Sequence, residues 1–153
     1  MRQLSLNIGN CNRIKSPQDR LLNIAAEYQK NGNLKSAKNI YMKILRLDPT
    51  CASAHYRLGI ISYLENRNEK SIKLIDTAVL LEPENFLFRF ALSLVLNLFD
   101  RKEEAERAWA KGLALFNSYG TGGKNLVHPL MEFYGRKGFA WPLKFRTLLF
   151  FFR

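Results

Sequence analysis

Between residues 21 and 49 the chain reads "LLNIAAEYQKNGNLKSAKNIYMKILRLDP", with apolar positions recurring at steps of three and four on either side of a polar "NGN". That period predicts two amphipathic helices, roughly Gln18–Lys30 and Leu34–Leu47, joined by a turn at Gly32. The second run ends at Asp48-Pro49, and a similar apolar stretch further on ends at Glu82-Pro83. Proline disfavours helical geometry in the residue before it and offers no N–H, so a helix stops at each of these sites. Both times an apolar run restarts within a few residues.

Pro49 and Pro83 stand 34 positions apart, which prompts a test of the whole chain in that register. Ala25, Gly59 and Ser93 then coincide, as do Ala37, Ser71 and Ala105. Tyr41, Ile75 and Trp109 form a bulky set, and Ile44, Ala78 and Gly112 also fall on one position. Small residues recurring on both members of a helix pair predict close crossings, where a larger side chain would push the axes apart. The reading is all-α: three helical hairpins stacked side by side.

These residues resemble the tetratricopeptide repeat (TPR). The second copy is the nearest to the pattern, through Leu58-Gly59, Ala78 and Pro83, and the first follows through Tyr28, Gly32, Ala37, Tyr41 and Pro49. The third departs from it, with Arg89 and Leu96 where aromatics are usual and no proline near Asn117. The resemblance implies a short right-handed superhelix over residues 18–51, 52–85 and 86–117, flanked by a basic arm (1–17), a Gly-rich linker (118–126) and a C-terminal helical tail (127–153). Pentatricopeptide repeats, which read single-stranded RNA, are similar in length, but the LG…A…P arrangement favours the protein-binding family.

In such stacks the first helix of each pair lines a concave face. The register assigns Leu22, Ala26 and Gln29, then Tyr56, Ile60 and Tyr63, then Leu87, Phe90 and Asn97 to a groove for a partner peptide. Leu94 falls between groove and core. TPR domains that clamp the C-terminal carboxylate of heat-shock chaperones place Lys, Asn and Arg where this chain has Leu22, Ala26, Arg57, Leu87 and Phe90; four of these five are apolar, which argues against such a clamp. The apolar lining is similar to that of three-repeat TPR chaperones for secreted translocator proteins.

Charge adds a second theme. The net charge of +11 concentrates at the ends: +3 in residues 1–20, +3 in residues 21–120 and +5 in residues 121–153. Basic ends suit an anionic partner, and dispersed they also serve solubility. The last segment, "LVHPLMEFYGRKGFAWPLKFRTLLFFFR", interleaves aromatics with Arg and Lys, and short helices are expected near residues 127–134 and 143–152. Three accounts of it stand open: folding back over the third hairpin or into the groove, lying on an anionic membrane surface, or docking on another subunit, a homodimer included.

Cys11 and Cys51 are far apart and form no CxxC pair, which fits a reducing, cytoplasmic setting. The start lacks a signal-peptide apolar core, and no run of apolar residues is long enough to span a bilayer. "GTGGKN" departs from a phosphate-binding loop, with Ser118 at the first glycine position and Asn125 after the lysine. His55 and His128 have no partners at metal-ligand spacing. The expectation is a protein that is not an enzyme, needs no cofactor, metal or small-molecule substrate, and acts as an interaction scaffold or adaptor. The alternative is a membrane-surface or, less favoured, nucleic-acid associated assembly factor working through its tail, and a third reading makes the chain one module of a longer enzyme.

Overall fold

The computed structural model describes residues 16–118, which form six α-helices and no strand. They are α1 (Pro17–Lys30), α2 (Leu34–Leu47), α3 (Ala52–Leu64), α4 (Asn68–Leu81), α5 (Phe86–Leu98) and α6 (Lys102–Ser118). The arm, the Gly-rich linker and the two short helices expected in the tail lie outside the described residues, apart from the first helix's cap at Ser16 and start at Pro17 and the last helix's end at Ser118.

Local chemistry sets the helix ends. Ser16 Oγ accepts from the Asp19 amide at 3.1 Å while the Asp19 carboxylate accepts from the Ser16 amide at 3.0 Å, so two otherwise orphaned donors are satisfied reciprocally. Pro17 occupies the first helical position, where a missing N–H costs nothing. Asn33 and Asn85 cap α2 and α5 with side-chain oxygens that accept from Ser36 and Leu87.

The turn inside each hairpin is built the same way. Gly32, Asn66 and Asp100 have φ of 80°, 58° and 59° and are spaced by the repeat length. Glycine takes this left-handed conformation freely, and Asn and Asp tolerate it better than other residues. The residue after each sends its N–H back to a carbonyl in the last turn of the preceding helix: Asn33 to Tyr28, Arg67 to Ser62 and Arg101 to Leu96. This closure satisfies carbonyls that a bare helix end would leave unpaired.

The joints between hairpins are the two acidic-Pro sites. Asp48 caps α2 in an extended conformation (φ −141°, ψ 94°), as the following proline requires. Its carboxylate accepts from the Thr50 amide, the Thr50 hydroxyl and Gln18 Nε2, the last at 2.7 Å across to α1. These bonds, led by the Thr50 hydroxyl, hold the Asp48 carboxyl below its usual pKa. At both joints a side chain from the next helix closes on the proline carbonyl: His55 Nε2 lies 2.8 Å from Pro49 O, and Arg89 Nε donates to Pro83 O at 2.9 Å. His55 and Arg89 occupy equivalent repeat positions.

Each helix packs on its neighbours in the chain, so the hairpins stack in order. The small residues lie where the register puts them: Ala25, Ala37 and Ser71 are completely buried, and Gly59, Ser93 and Ala105 nearly so. A Cβ on Gly59 would meet Ile75 Cγ1 at 2.5 Å, so α3 and α4 approach too closely for any side chain there. Tyr41, Ile44, Ile61 and Ile75 are fully enclosed, and such residues each stabilise by about 1.5–3 kcal/mol. One apolar cluster joins α1, α2 and one side of α3, and a second joins the other side of α3 to α4, α5 and α6. Lys38 on α2 pairs with Glu65, at 2.7 Å, just past α3, and so links the first hairpin to the second.

Candidate functional site

The first helices of the three pairs, α1, α3 and α5, carry the residues that the register assigns to a ligand face. On α3, Tyr56, Ile60 and Tyr63 follow the four- and three-residue steps of one helix face. The two tyrosines are half-buried. Tyr56 stacks on Phe88 of α5, with ring centroids 4.9 Å apart and planes 29° from parallel. On its own helix the Arg57 guanidinium lies 5.9 Å from the Tyr56 ring centroid, within range of an attraction to the ring's electron-rich face. Burial raises the pKa of the Tyr63 phenol. Leu22, Ala26, Leu87 and Asn97 are also half-buried, with Leu22 leaning on the first cluster and Leu87 on a third one.

Three of the assigned residues are interior instead. Gln29 is buried because its Oε1 accepts from the Tyr41 hydroxyl at 3.2 Å, which satisfies both groups inside the first hairpin. Ile60 is 2% exposed, because α3 is flanked by hairpins on both sides and its middle turn fills the seam between them. Phe90 is 3% exposed: its ring lies 4.5 Å from that of Trp109, and Gly112 opens the space for it. A Cβ on Gly112 would approach the Phe90 ring to 2.9 Å. Leu94, which the period left between groove and core, is core at 1% exposure. On α3 and α5 the assigned face is therefore closed at its middle and partly accessible at its ends, whereas on α1 Leu22 and Ala26 are partly accessible and Gln29, near the helix end, is closed.

The pattern missed Phe88. It sits off the assigned strip of α5, yet its ring stacks on that of Tyr56. Its counterpart one repeat earlier is Ala54, so the register carried no signal for an aromatic contact. The stack arises from the way α3 and α5 meet.

Among the described residues no three His, Cys, Asp or Glu side chains gather as metal ligands. His55 is committed to the Pro49 carbonyl, with a buried Nδ1 that has no partner among the described residues, and Cys51 is a half-buried free thiol. His128 and Cys11 lie outside the described residues. No helix among the described residues is long and apolar enough to cross a membrane.

Residues 19–51 match the family model described as Tetratricopeptide repeat. Solved structures agree over a longer stretch. The TPR domain of Sgt2 from Aspergillus fumigatus superposes with a TM-score of 0.63 at 16% identity, over 83% of this chain and 86% of that one. The second TPR of Spaghetti (RPAP3), solved with the HSP90 peptide SRMEEVD, gives 0.61 at 16% identity, over 66% of this chain and 94% of that one. An O-GlcNAc transferase of Thermobaculum terrenum gives 0.62 at 22% identity over 64% of this chain, which spans only 19% of the transferase. No curated protein is similar to this chain in sequence. Residues 16–118 thus have the tetratricopeptide-repeat fold.

Proposed function

We propose that this tetratricopeptide-repeat protein is a non-enzymatic scaffold or adaptor that holds an extended or helical segment of a partner protein along the face of α1, α3 and α5. The observation that carries the reading is the setting of Tyr56: an aromatic ring stacked on Phe88, accompanied by Arg57 and only partly buried. Rigid, partly exposed aromatics beside an arginine are the residue types that dominate binding energy at protein interfaces. Tyr63, Leu22, Ala26, Leu87 and Asn97 extend the surface along the three helices. Peptide binding by the second TPR of Spaghetti supports this class of function. The apolar residues at Leu22, Ala26 and Leu87 favour a segment bound through its side chains over one held by its terminal carboxylate. In this reading residues 1–17 form an arm, 118–126 a linker and 127–153 a tail around three repeats.

The test is site-specific crosslinking in full-length protein within its native cells. A photoreactive phenylalanine at Tyr63 is expected to capture a defined partner segment, and the same residue at exposed Met42 on α2 is not. Replacing Tyr63 by Asp, with the melt unchanged, should abolish that partner's capture from position 56. Equal capture from positions 63 and 42 would remove the proposal. A second reading, contact with an anionic surface through the tail, rests on the +5 charge of residues 121–153. Cosedimentation with acidic vesicles that survives deletion of residues 139–153 would dispose of it.

A further inference from the structure

On the side of the stack formed by the second helices, α4 and α6 do not pack substantially on each other; both seat on α5. The space between them is a groove of about 450 Å³. Its floor is aliphatic, made by Ile72 and Val79 of α4 and by Leu92 and Leu96 of α5. Leu80 stands on its edge with 74% of its surface exposed, an uncommon place for a large aliphatic side chain.

The charged rim is unequal. Arg101 and Glu104 neutralise each other through two bonds of 2.7 Å. What is left is Asp76 against Arg89, Arg107 and Lys111. Arg107 and Lys111 are exposed, one turn apart on α6, and hold no ion pair among the described residues. Arg89 is pre-positioned, because its Nε is bonded to the Pro83 carbonyl and its remaining N–H groups are left for another acceptor.

We infer that this groove is a second docking surface, for an acidic peptide segment that presents aliphatic side chains to the floor and carboxylates to Arg89, Arg107 and Lys111. Charge complementarity selects that occupant: the rim is cationic, and an arginine already held in place loses little freedom on binding a carboxylate. A single-stranded nucleic acid is disfavoured, because the groove has no aromatic side chain on which a base would stack. A second copy of this chain is disfavoured by its charge of +11. The surface is distinct from the face of Tyr56, so the two proposals stand or fall separately.

The experiment uses uniformly nitrogen-labelled full chain and the blocked peptide EELIDLEE, followed by amide shifts in two-dimensional NMR. Shifts are expected in the second half of α4, from Asp76 to Leu81, and in α6 from Glu104 to Lys111. The pair of exposed substitutions Arg107→Glu and Lys111→Glu should weaken binding by about tenfold or more, since reversed charges at an interface repel. The milder pair Arg107→Gln and Lys111→Gln should give an intermediate loss, and Tyr63→Asp none. The inference is overturned if the peptide shifts nothing, if the shifts fall at Tyr56 and Tyr63, or if charge reversal leaves affinity unchanged. It is equally overturned if oligothymidylate or phosphatidylserine vesicles shift the groove residues while the peptide does not.

Discussion

Gly59 on α3 lies directly against Ile75 on α4, so near that even a methyl group would need Ile75 to move. In an open helix, Gly→Ala would gain about 1 kcal/mol from helix propensity. Here overpacking opposes that gain and costs about 1–3 kcal/mol. Gly59→Ala is therefore expected to lower stability, and Gly59→Leu to lower it more. In a background already carrying Ile75→Ala the sign should invert, with Gly59→Ala now stabilising. Urea denaturation of the four variants checks this as a coupling between two sites.

Ser71 occupies the crossing position that Ala37 and Ala105 fill in the other hairpins. It is fully buried, and its hydroxyl has no hydrogen-bond partner among the described residues. Burying an unpaired hydroxyl costs about 1–3 kcal/mol. Ser71→Ala should therefore stabilise the protein by about 1 kcal/mol, visible as a higher melting temperature.

Tyr41 joins stability to alkaline pH. Burial raises its pKa above 10.0, with the charge of Arg57 acting in the opposite sense. A raised folded value means that stability is full below the unfolded pKa and declines as pH climbs from about 10 through the folded value. Tyr41→Phe should flatten that decline, leaving what Tyr63 and Lys102 contribute, and should cost about 1 kcal/mol at neutral pH by leaving Gln29 unpaired. Urea midpoints between about pH 8 and about pH 11 measure both effects.

At the acid end Glu65 is one of four carboxyls, with Asp48, Asp100 and Glu104, whose pKa is held down in the folded protein. Its bond to Lys38, chiefly, holds its pKa below 4.5, with Arg67 also beside it. A depressed folded value contributes stability that is present above about pH 4.5 and is lost as pH falls through the folded value. Glu65→Gln should reduce the acid dependence of the melting temperature, lowering it modestly at pH 7 and leaving it close to that of the parent protein at low pH, where the carboxyl is protonated in both states.

The sequence carried the architecture well because the architecture is periodic. Pro49 with Pro83, and Ala25 with Gly59 and Ser93, repeat at one spacing, and each has a local cause that needs no knowledge of the rest of the chain. Asn66 and Asp100 show the limit of reading by residue type: neither announces a left-handed turn, and only their register with Gly32 points to one. The proposed ligand face was less legible. A helical period tells which side of α3 or α5 a residue occupies, but not what stands opposite. Phe90 is interior because Gly112 on the following helix makes room for it, and Gln29 because Tyr41 supplies a hydroxyl. Those contacts between helices have no periodic signature, and neither does the groove between α4 and α6.

The apolar interior is divided at α3, one side of which belongs with α1 and α2 and the other with α4, α5 and α6. A chain organised in this way can open in parts. The first pair should detach as a unit while the remaining four helices stay closed, so amide protons of Ala37–Ile44 would exchange with deuterium sooner than those of Ala91–Val95. Weakening Lys38 or Glu65 would widen that gap in protection, because their bond spans the line of separation.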